Sequence, residues 1–308
     1  MTSGDEKRDL LVVVTGPTAS GKTALAIELA EYFGTEIISA DSRQLYRDIP
    51  IGTAAPTACE RSRVFHHLVG VLGLDEYYSA ALFEADALAI LQGIWKKSRV
   101  AVVCGGSMMY VDALCRGIDE MPSVSDAVRT YVLRLLAEHG PAGVLAQLQI
   151  LDPDYYETVD RDNMRRVVHA VEICLEAGTP YSRLRTGRAK KRDFSIIKFA
   201  IDRPREELFA RINSRVDTMM SLGLEEEARR AFSMGNYNSL NTVGYKEMAA
   251  YFAGKMTKDE AVARIGKNTR VYAKKQLTWL KRDSDLIWLQ PDEAVGKARL
   301  IIEKCLRS

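Results

Sequence analysis

The sequence has few cysteines and no long apolar run. Its five cysteines, in a chain of 308 residues, are scattered and never spaced as C-x-x-C, which argues against a disulfide framework or a zinc site. We expect Cys59, Cys104, Cys115, Cys174 and Cys305 to be ordinary buried or half-buried thiols. No apolar run approaches the roughly 20 residues that span a bilayer, and the charged N-terminus "MTSGDEKRD" lacks the apolar stretch of a signal peptide. We therefore expect a cytoplasmic protein without a membrane partner.

The net charge is also small, but the basic residues are unevenly distributed along the chain. The net charge of +2 does not by itself indicate a nucleic-acid partner. Two stretches nevertheless contain basic residues and no acid, six between Arg183 and Arg192 and seven between Arg264 and Arg282. Each stretch is typical either of a polyanion-binding surface, whose affinity falls with salt, or of a solvated face balanced by acids elsewhere.

The segment "GPTASGKT" follows an apolar run and matches the phosphate-binding pattern G-x-x-x-x-G-K-[ST]. Glycines at both ends let consecutive backbone amides point inward at the positive end of the following helix, where an anion is stabilised. The lysine adds a cation and the threonine hydroxyl can ligate Mg²⁺. The motif indicates a diphosphate-sized anion with Mg²⁺ and leaves the attached group open. The predicted diphosphate-binding residues are Gly16, Pro17, Thr18, Ala19, Ser20, Gly21, Lys22 and Thr23.

Strand-like and helical segments alternate along the first part of the chain. The apolar runs "DLLVVVTG", "TEIISAD" and "SRVAVVCGG" are separated by a helix from Lys22 and another across Ala80 to Lys97. This alternation predicts an α/β fold with a P-loop NTPase-like parallel sheet and helices on both faces.

The middle of the chain interrupts this pattern. From about Ser125 to Ala177 the sequence is helical without a convincing strand, and a strand pattern resumes at Phe194 to Asp202. We therefore predict an inserted all-helical domain over 123–188 within a core formed by 1–122 and 189–308.

Asp41 follows the second predicted strand, in "IISADSRQLY". Ligands of open parallel sheets bind beyond the carboxyl ends of the strands, so Asp41 is expected in the same crevice as the P-loop. Three roles fit an aspartate there: a metal ligand, a general base, or a helix cap. No other strand supplies a clear Walker B carboxylate, since "VAVVCGGS" ends in glycines.

The chain resembles the tRNA dimethylallyltransferases, also called tRNA isopentenyltransferases, across nearly its whole length. The resemblance rests on ten segments in the family's order: "GPTASGKT", "SADSRQLY", "IGTAAP", "HHLVG", "YYSAALFEADA", "CGGSMMYVDAL", "NMRRVVHAVEICLEAGTPYS", "RINSRVDTMM", "VGYKEM" and "AKKQLTWLKRD". It implies transfer of a dimethylallyl group from dimethylallyl diphosphate to the N6 amine of adenine 37, next to the anticodon of tRNA. Diphosphate and N6-isopentenyladenosine would be the products.

By this resemblance the P-loop holds the diphosphate of the donor, with Mg²⁺ on Thr23 as the cofactor. Lys22, Thr23 and Arg215 would stabilise the leaving diphosphate, and Arg215 in "SRVDTM" would be a further diphosphate ligand. Asp41 would accept the proton of the amine, which is extruded from its stack.

The resemblance also implies contacts with the anticodon stem-loop of tRNA from both parts of the chain. A solvated surface face remains the alternative for Arg129 on its predicted exposed helix. We expect a monomer, because one large RNA needs no second subunit. The predicted tRNA-binding residues are Asp41, Ser42, Arg43, Gln44, Ser107, Arg129, Asn163, Arg165, Arg166, Arg188, Lys274 and Lys275.

Two segments depart from the family pattern. "GGSMMY" stands where Gly-Gly-Thr-Gly-Leu-Tyr is common, so Ser107 keeps the hydroxyl while Met108 and Met109 replace a glycine and a leucine. Ala55 stands where a lysine is usual, which removes one possible phosphate contact. The lack of paired cysteines favours the bacterial form over the eukaryotic members, which carry a zinc finger.

Three other functions compete with this interpretation. In a P-loop kinase for a small molecule, Asp41 would activate a substrate hydroxyl, but a lid of clustered arginines is missing. An adenylate isopentenyltransferase would use free AMP as acceptor and would not need the insertion or the late basic stretch. A non-catalytic RNA-binding module is disfavoured because Lys22, Thr23 and Asp41 are all present.

Overall fold

The computed structural model describes residues 8–307. Residues 1–7, which contain most of the charged N-terminus considered above, lie outside the described part. Within residues 8–307 the chain forms a parallel sheet of six strands in the order β3-β2-β4-β1-β5-β6. The strands are β1 (Leu10–Thr15), β2 (Ile37–Ser39), β3 (His66–His67), β4 (Val100–Cys104), β5 (Ser195–Ile201) and β6 (Leu286–Leu289).

Helices follow most of the strands. They are α1 (Lys22–Tyr32), α2 (Ala58–Arg63), α3 (Ala80–Ile94), α4 (Met108–Arg116), α5 (Asp126–Leu151), α6 (Pro153–Thr158), α7 (Met164–Ala177), α8 (Tyr181–Leu184), α9 (Arg205–Ser221), α10 (Leu224–Met234), α11 (Tyr245–Phe252), α12 (Lys258–Leu280) and α13 (Ala294–Arg307). A short 3₁₀ helix spans Asn238–Leu240. The predicted helix across Ala80 to Lys97 ends earlier, at Ile94.

The central strand β1 shows why the sheet is covered on both faces. Its sequence LLVVVT is buried throughout, as expected for a parallel strand with helices above and below. Leu11 and Val13 pack into the hydrophobic cluster on one face, and Leu10, Val12 and Val14 into the cluster on the other. The predicted α/β fold with helices on both faces is confirmed.

Strand order creates the crevice in which the candidate site lies. β4 lies between β1 and β2, with Val14 and Ser39 both in register with Cys104. The connection after β1 and the connection after β2 therefore leave the sheet on either side of the end of β4. Such a reversal of strand order at the carboxyl edge is the usual ligand-binding position in open α/β sheets.

The chain divides into two compact units, 1–115 with 192–308, and Arg116–Lys191. The second unit contains the helices α5 to α8, and α5 is interrupted at Gly140, where φ is 64°. Its limits lie outside the predicted 123–188 because its entering and leaving segments pair. The Lys190 amide donates to the Arg116 carbonyl at 2.7 Å, and the Gly187 amide donates to Asp119 Oδ2 at 2.9 Å.

All five cysteines are reduced and form no disulfide bond. The expectation that each is buried or half-buried is wrong for Cys59, which lies exposed on the short helix α2. In the described part of the chain, no helix combines the length and the hydrophobicity needed to cross a membrane.

Candidate active site

The P-loop forms the turn between β1 and α1. Helix α1 begins at Lys22, directly after Gly21, whose φ of 102° is readily adopted only by glycine. Ala19 also has a positive φ, of 65°. The first amides of a helix have no intrahelical partner and form its positive end, so the loop ends where an anion is stabilised.

Three arginines from the other side of β1 hold this loop. Arg203, just after β5, donates through Nε to the Ser20 carbonyl at 2.6 Å. On α9, Arg211 donates through Nε to the Ala19 carbonyl at 2.9 Å, and Arg215 Nη1 donates to Thr18 Oγ1 at 3.2 Å. The predicted diphosphate ligand Arg215 therefore lies at the P-loop.

The P-loop, with Lys22 and Arg215, forms a phosphate cradle whose two cations are half-buried. Burial lowers the pKa of the Lys22 ammonium, and the neighbouring Arg215 acts in the same direction, while Asp41 opposes both. Burial also lowers the pKa of Arg215, and the like charge of Arg211 adds to this effect. Positive charge that is poorly hydrated binds a phosphate oxygen more strongly than the same charge in water.

Asp41 lies beyond β2 in a turn and not at a helix. Its Oδ1 accepts a hydrogen bond from the Arg43 amide at 2.9 Å, the local pattern by which aspartate stabilises turns. The next helix, α2, begins only at Ala58. The helix-cap alternative for Asp41 is therefore wrong, whereas its charge acts on Lys22, so both groups belong to one electrostatic site.

Ser107 holds the backbone on both sides of Asp41. Its Oγ accepts from the Ser42 amide at 2.8 Å, and its own amide donates to the Ala40 carbonyl at 3.1 Å. The segment reaches this position because Gly105 lacks a side chain: a Cβ there would lie 2.1 Å from the Ala40 carbonyl oxygen. In this structure the hydroxyl of Ser107 supports the Asp41 turn.

Two other residues predicted to contact tRNA are engaged within the chain. Arg43 Nη1 donates to the Ser239 carbonyl at 3.1 Å. Gln44 accepts from Ser39 Oγ at 3.1 Å and donates to the Ala54 carbonyl at 3.0 Å. Gln44 thus connects the loop that contains Ala55 to the end of β2 through hydrogen bonds.

The end of β4 carries a thiol where a Walker B carboxylate would be expected. Burial raises the pKa of the Cys104 thiol to about 11, although the charge of Lys22 and a hydrogen bond with the Thr23 side chain both oppose this. Cys104 is therefore neutral at physiological pH. Within residues 8–307 no cluster of three or more His, Cys, Asp or Glu side chains could hold a metal ion.

Three residues that contact the P-loop were not predicted from the sequence: Gln276, Arg203 and Arg211. Gln276 on α12 is 2% exposed; it accepts from the Thr18 amide at 2.9 Å and donates to the Gly106 carbonyl at 2.8 Å. A signal for it was present, since Gln276 lies three residues after Ala273 and four before Leu280, on the buried stripe of the helix.

The predicted tRNA-binding residues of the second unit lie on its own helices and loops. Arg129 on α5, Arg165 and Arg166 on the first turn of α7, and Arg188 after α8 are exposed. Asn163 instead caps α7, and its Oδ1 accepts from the Arg166 amide at 3.4 Å.

The two basic stretches differ in whether their side chains are available to a polyanion. Arg192, at the end of the first stretch, forms a buried ion pair with Glu84 at 2.6 Å and is not available to a polyanion. On α12, Lys274 and Lys275 are exposed, and Lys274 Nζ lies 5.7 Å from the centre of the Phe209 ring.

Comparison with known proteins gives consistent matches. The sequence model of the family described as IPP transferase matches residues 44–283, and one described as isopentenyl transferase matches residues 10–67. The tRNA dimethylallyltransferase 2 of Parabacteroides distasonis is 53% identical over 283 residues, which cover 92% of this chain and 95% of the relative. The protein of the same name from Azobacteroides pseudotrichonymphae is 50% identical over 92% of both chains.

A solved structure agrees with the sequence matches. The tRNA isopentenylpyrophosphate transferase of Bacillus halodurans is 31% identical, with a TM-score of 0.71, covering 98% of this chain and 97% of that one. Because family model and relatives each match most of the chain, this chain belongs to the tRNA dimethylallyltransferase (IPP transferase) family.

Proposed function

We propose that this chain is a prenyltransferase that transfers a dimethylallyl group from dimethylallyl diphosphate to the N6 amine of adenine 37 in tRNA. One observation beyond family membership supports this most directly. The charge of Asp41 acts on the P-loop lysine, while the strand between them ends at Cys104 and is followed by two glycines. This arrangement offers a diphosphate cradle and one carboxylate, but no Walker B aspartate for a kinase.

In alkyl transfer these groups act on the bond that breaks, the bond that forms and the proton that is released. The bond between C1 of the dimethylallyl group and the diphosphate oxygen breaks, and its electron pair leaves with the diphosphate. The N6 lone pair forms the new bond to C1, and an N6 proton passes to the Asp41 carboxylate. The desolvated cations Lys22 and Arg215 stabilise the charge that develops on the leaving diphosphate.

The residues present fit a magnesium ion bound mainly through substrate oxygens. Mg²⁺ prefers oxygen ligands and is commonly held by one or two protein oxygens together with phosphates and water. The Thr23 hydroxyl at the start of α1 is the protein oxygen that would hold it. The bound ion would neutralise part of the charge on the leaving diphosphate.

Both parts of the chain would contribute to tRNA binding. The exposed arginines Arg129, Arg165, Arg166 and Arg188 and the exposed Lys274 and Lys275 suit contacts with phosphates. We further propose that the chain binds tRNA as a monomer in the cytoplasm.

A transfer assay tests the proposal. Radiolabelled dimethylallyl diphosphate and Mg²⁺ are supplied with unmodified tRNA or with AMP, and ATP consumption is followed in parallel. We expect label in tRNA at N6 of adenine 37 without ATP turnover. Label only in AMP would assign the chain to the free-nucleotide enzymes, and ATP turnover without label would return it to the kinases.

A further inference from the structure

Gln276 joins the two halves of the candidate site through one buried amide. It lies on α12, a helix that supplies none of the phosphate-binding motif. Its Oε1 accepts from the Thr18 amide in the P-loop, and its Nε2 donates to the Gly106 carbonyl after β4. One partner is a donor and the other an acceptor, and a primary amide satisfies both, one from each end.

The two partners of Gln276 lead to opposite sides of the reaction. Thr18 belongs to the diphosphate cradle, and its hydroxyl also accepts from Arg215. Gly106 is followed by Ser107, which holds the Ala40 carbonyl and the Ser42 amide on either side of Asp41. An unbroken series of hydrogen bonds therefore connects the cradle to the turn that carries the base.

Gln276 is buried and packs closely against the loop after β4. A Cβ on Gly106 would lie 2.5 Å from Gln276 Nε2 and 3.3 Å from the Gly16 carbonyl oxygen. The loop after β4 thus lies close both to the first residue of the P-loop motif and to the amide of Gln276.

We propose that Gln276 is a positioning residue that sets the distance between the diphosphate cradle and Asp41, and so the alignment of leaving group, reacting carbon and acceptor nitrogen. This inference rests on the proposed alkyl transfer. An in-line displacement depends steeply on such alignment, and a misplacement of about 1 Å costs about 100-fold in rate. Gln276 acts through the backbone of its partners and does not itself contact substrate.

Gln276→Met tests this role, because methionine has nearly the volume of glutamine and forms neither strong hydrogen bond. We expect the single-turnover rate at saturating donor and tRNA to fall about 100-fold. The dissociation constant for tRNA should stay within about threefold of the wild-type value, because the exposed basic side chains remain. Affinity for inorganic diphosphate should fall only modestly, since the cations of the cradle are retained.

Gln276→Glu provides a second variant. A glutamate still accepts from the Thr18 amide but cannot donate to the Gly106 carbonyl while it is ionised. We expect a rate loss comparable with that of the methionine variant and a larger loss of inorganic diphosphate affinity, because a negative charge is added near the cradle.

Asn268→Leu is the matched control. Asn268 lies on the same helix and donates to Glu247 Oε1 at 2.7 Å, away from the cradle. Its transfer rate shows how much activity is lost when a polar contact is removed from α12 far from the cradle. Thermal unfolding of all three variants shows whether each is folded. We expect the control to transfer at the wild-type rate.

The outcomes distinguish failure of the positioning role of Gln276 from failure of the proposed function. A wild-type rate for folded Gln276→Met, or equal rate losses in Gln276→Met and Asn268→Leu, would overturn the positioning role and leave the proposed function standing. Absence of transfer by the wild-type chain would overturn the proposed function and this inference with it.

Discussion

The donor side and the acceptor side of the candidate site are built by different means. On the donor side, three arginines contact the P-loop, and burial lowers the pKa of Lys22 and of Arg215. On the acceptor side, Asp41 accepts from a backbone amide, and its turn is held by the neutral side chain of Ser107.

This difference corresponds to the charges that alkyl transfer moves. A leaving diphosphate gains negative charge over several oxygens, so a set of desolvated cations stabilises it. The acceptor amine loses a single proton, for which one oriented carboxylate suffices. If the difference is functional, substitutions on the two sides should fail in different ways.

The largest effect is expected from Asp41→Asn. The amide oxygen can still accept from the Arg43 amide, so the turn should persist while the base is lost. We expect a loss of about 10³-fold in the transfer rate with nearly unchanged tRNA binding, measured by single-turnover kinetics and filter binding. Asp48→Asn, a nearby change outside the site, should leave the rate unchanged. Near-normal turnover by Asp41→Asn would refute its role as general base.

Arg215→Ala should have the next largest effect, and on the donor side. It removes a half-buried cation beside Thr18, so we expect the transfer rate to fall about 100-fold. Inorganic diphosphate binding, measured by calorimetry, should weaken while tRNA binding is retained. Arg205→Ala removes an exposed arginine from the same helix and should alter neither quantity. Equal diphosphate affinities for Arg215→Ala and wild type would contradict the assignment.

A smaller effect concerns the pH dependence of donor binding. Burial lowers the pKa of Lys22 below its ordinary 10.5 in the free protein, whereas bound diphosphate favours the charged ammonium and raises this pKa. At pH values above the lowered pKa, binding should therefore take up a proton, and affinity for inorganic diphosphate should fall, by about tenfold, as pH rises through that pKa. Calorimetry in buffers of different ionisation enthalpy would measure the uptake. Lys22→Met should lose this part of the pH dependence, and its persistence would assign the titration to another group.

The smallest effect is expected from the exposed lysines of α12. Lys274→Ala and Lys275→Ala should each weaken tRNA binding a few-fold and reduce the slope of log affinity against log salt by about 1. Inorganic diphosphate binding should be unchanged, which separates this surface from the donor side. Lys304→Ala, on α13, serves as the control. An unchanged salt dependence in both α12 variants would mean that these lysines are a solvated face.

The fold and the cradle could be predicted because their signals are local. The apolar run of β1, the glycines of the P-loop and the start of α1 at Lys22 follow one another in the sequence. The location of Asp41 also followed from a local pattern, since it comes directly after a strand. The role of Arg215 came only from the resemblance to a family.

The remaining contacts could not be predicted because they join distant parts of the chain. Gln276 and Thr18 are 258 positions apart, and Arg211 and Ala19 are 192 positions apart. Gln44 illustrates the same limit at shorter range. Its side chain donates to the Ala54 carbonyl, a contact that the sequence did not indicate, while its predicted contact with tRNA stays a prediction.

The long separation between Thr18 and Gln276 also matters for biosynthesis. A chain leaving the ribosome exposes its phosphate-binding sequence early, but α9 and then α12, which hold that loop, emerge much later. The strands β5 and β6 beside β1 are also late. The nascent chain therefore carries an unsupported donor loop until α9 has emerged. A fragment that stops before α9 would retain the motif with none of these contacts, and one that stops before α12 would still lack the contact between Gln276 and Thr18.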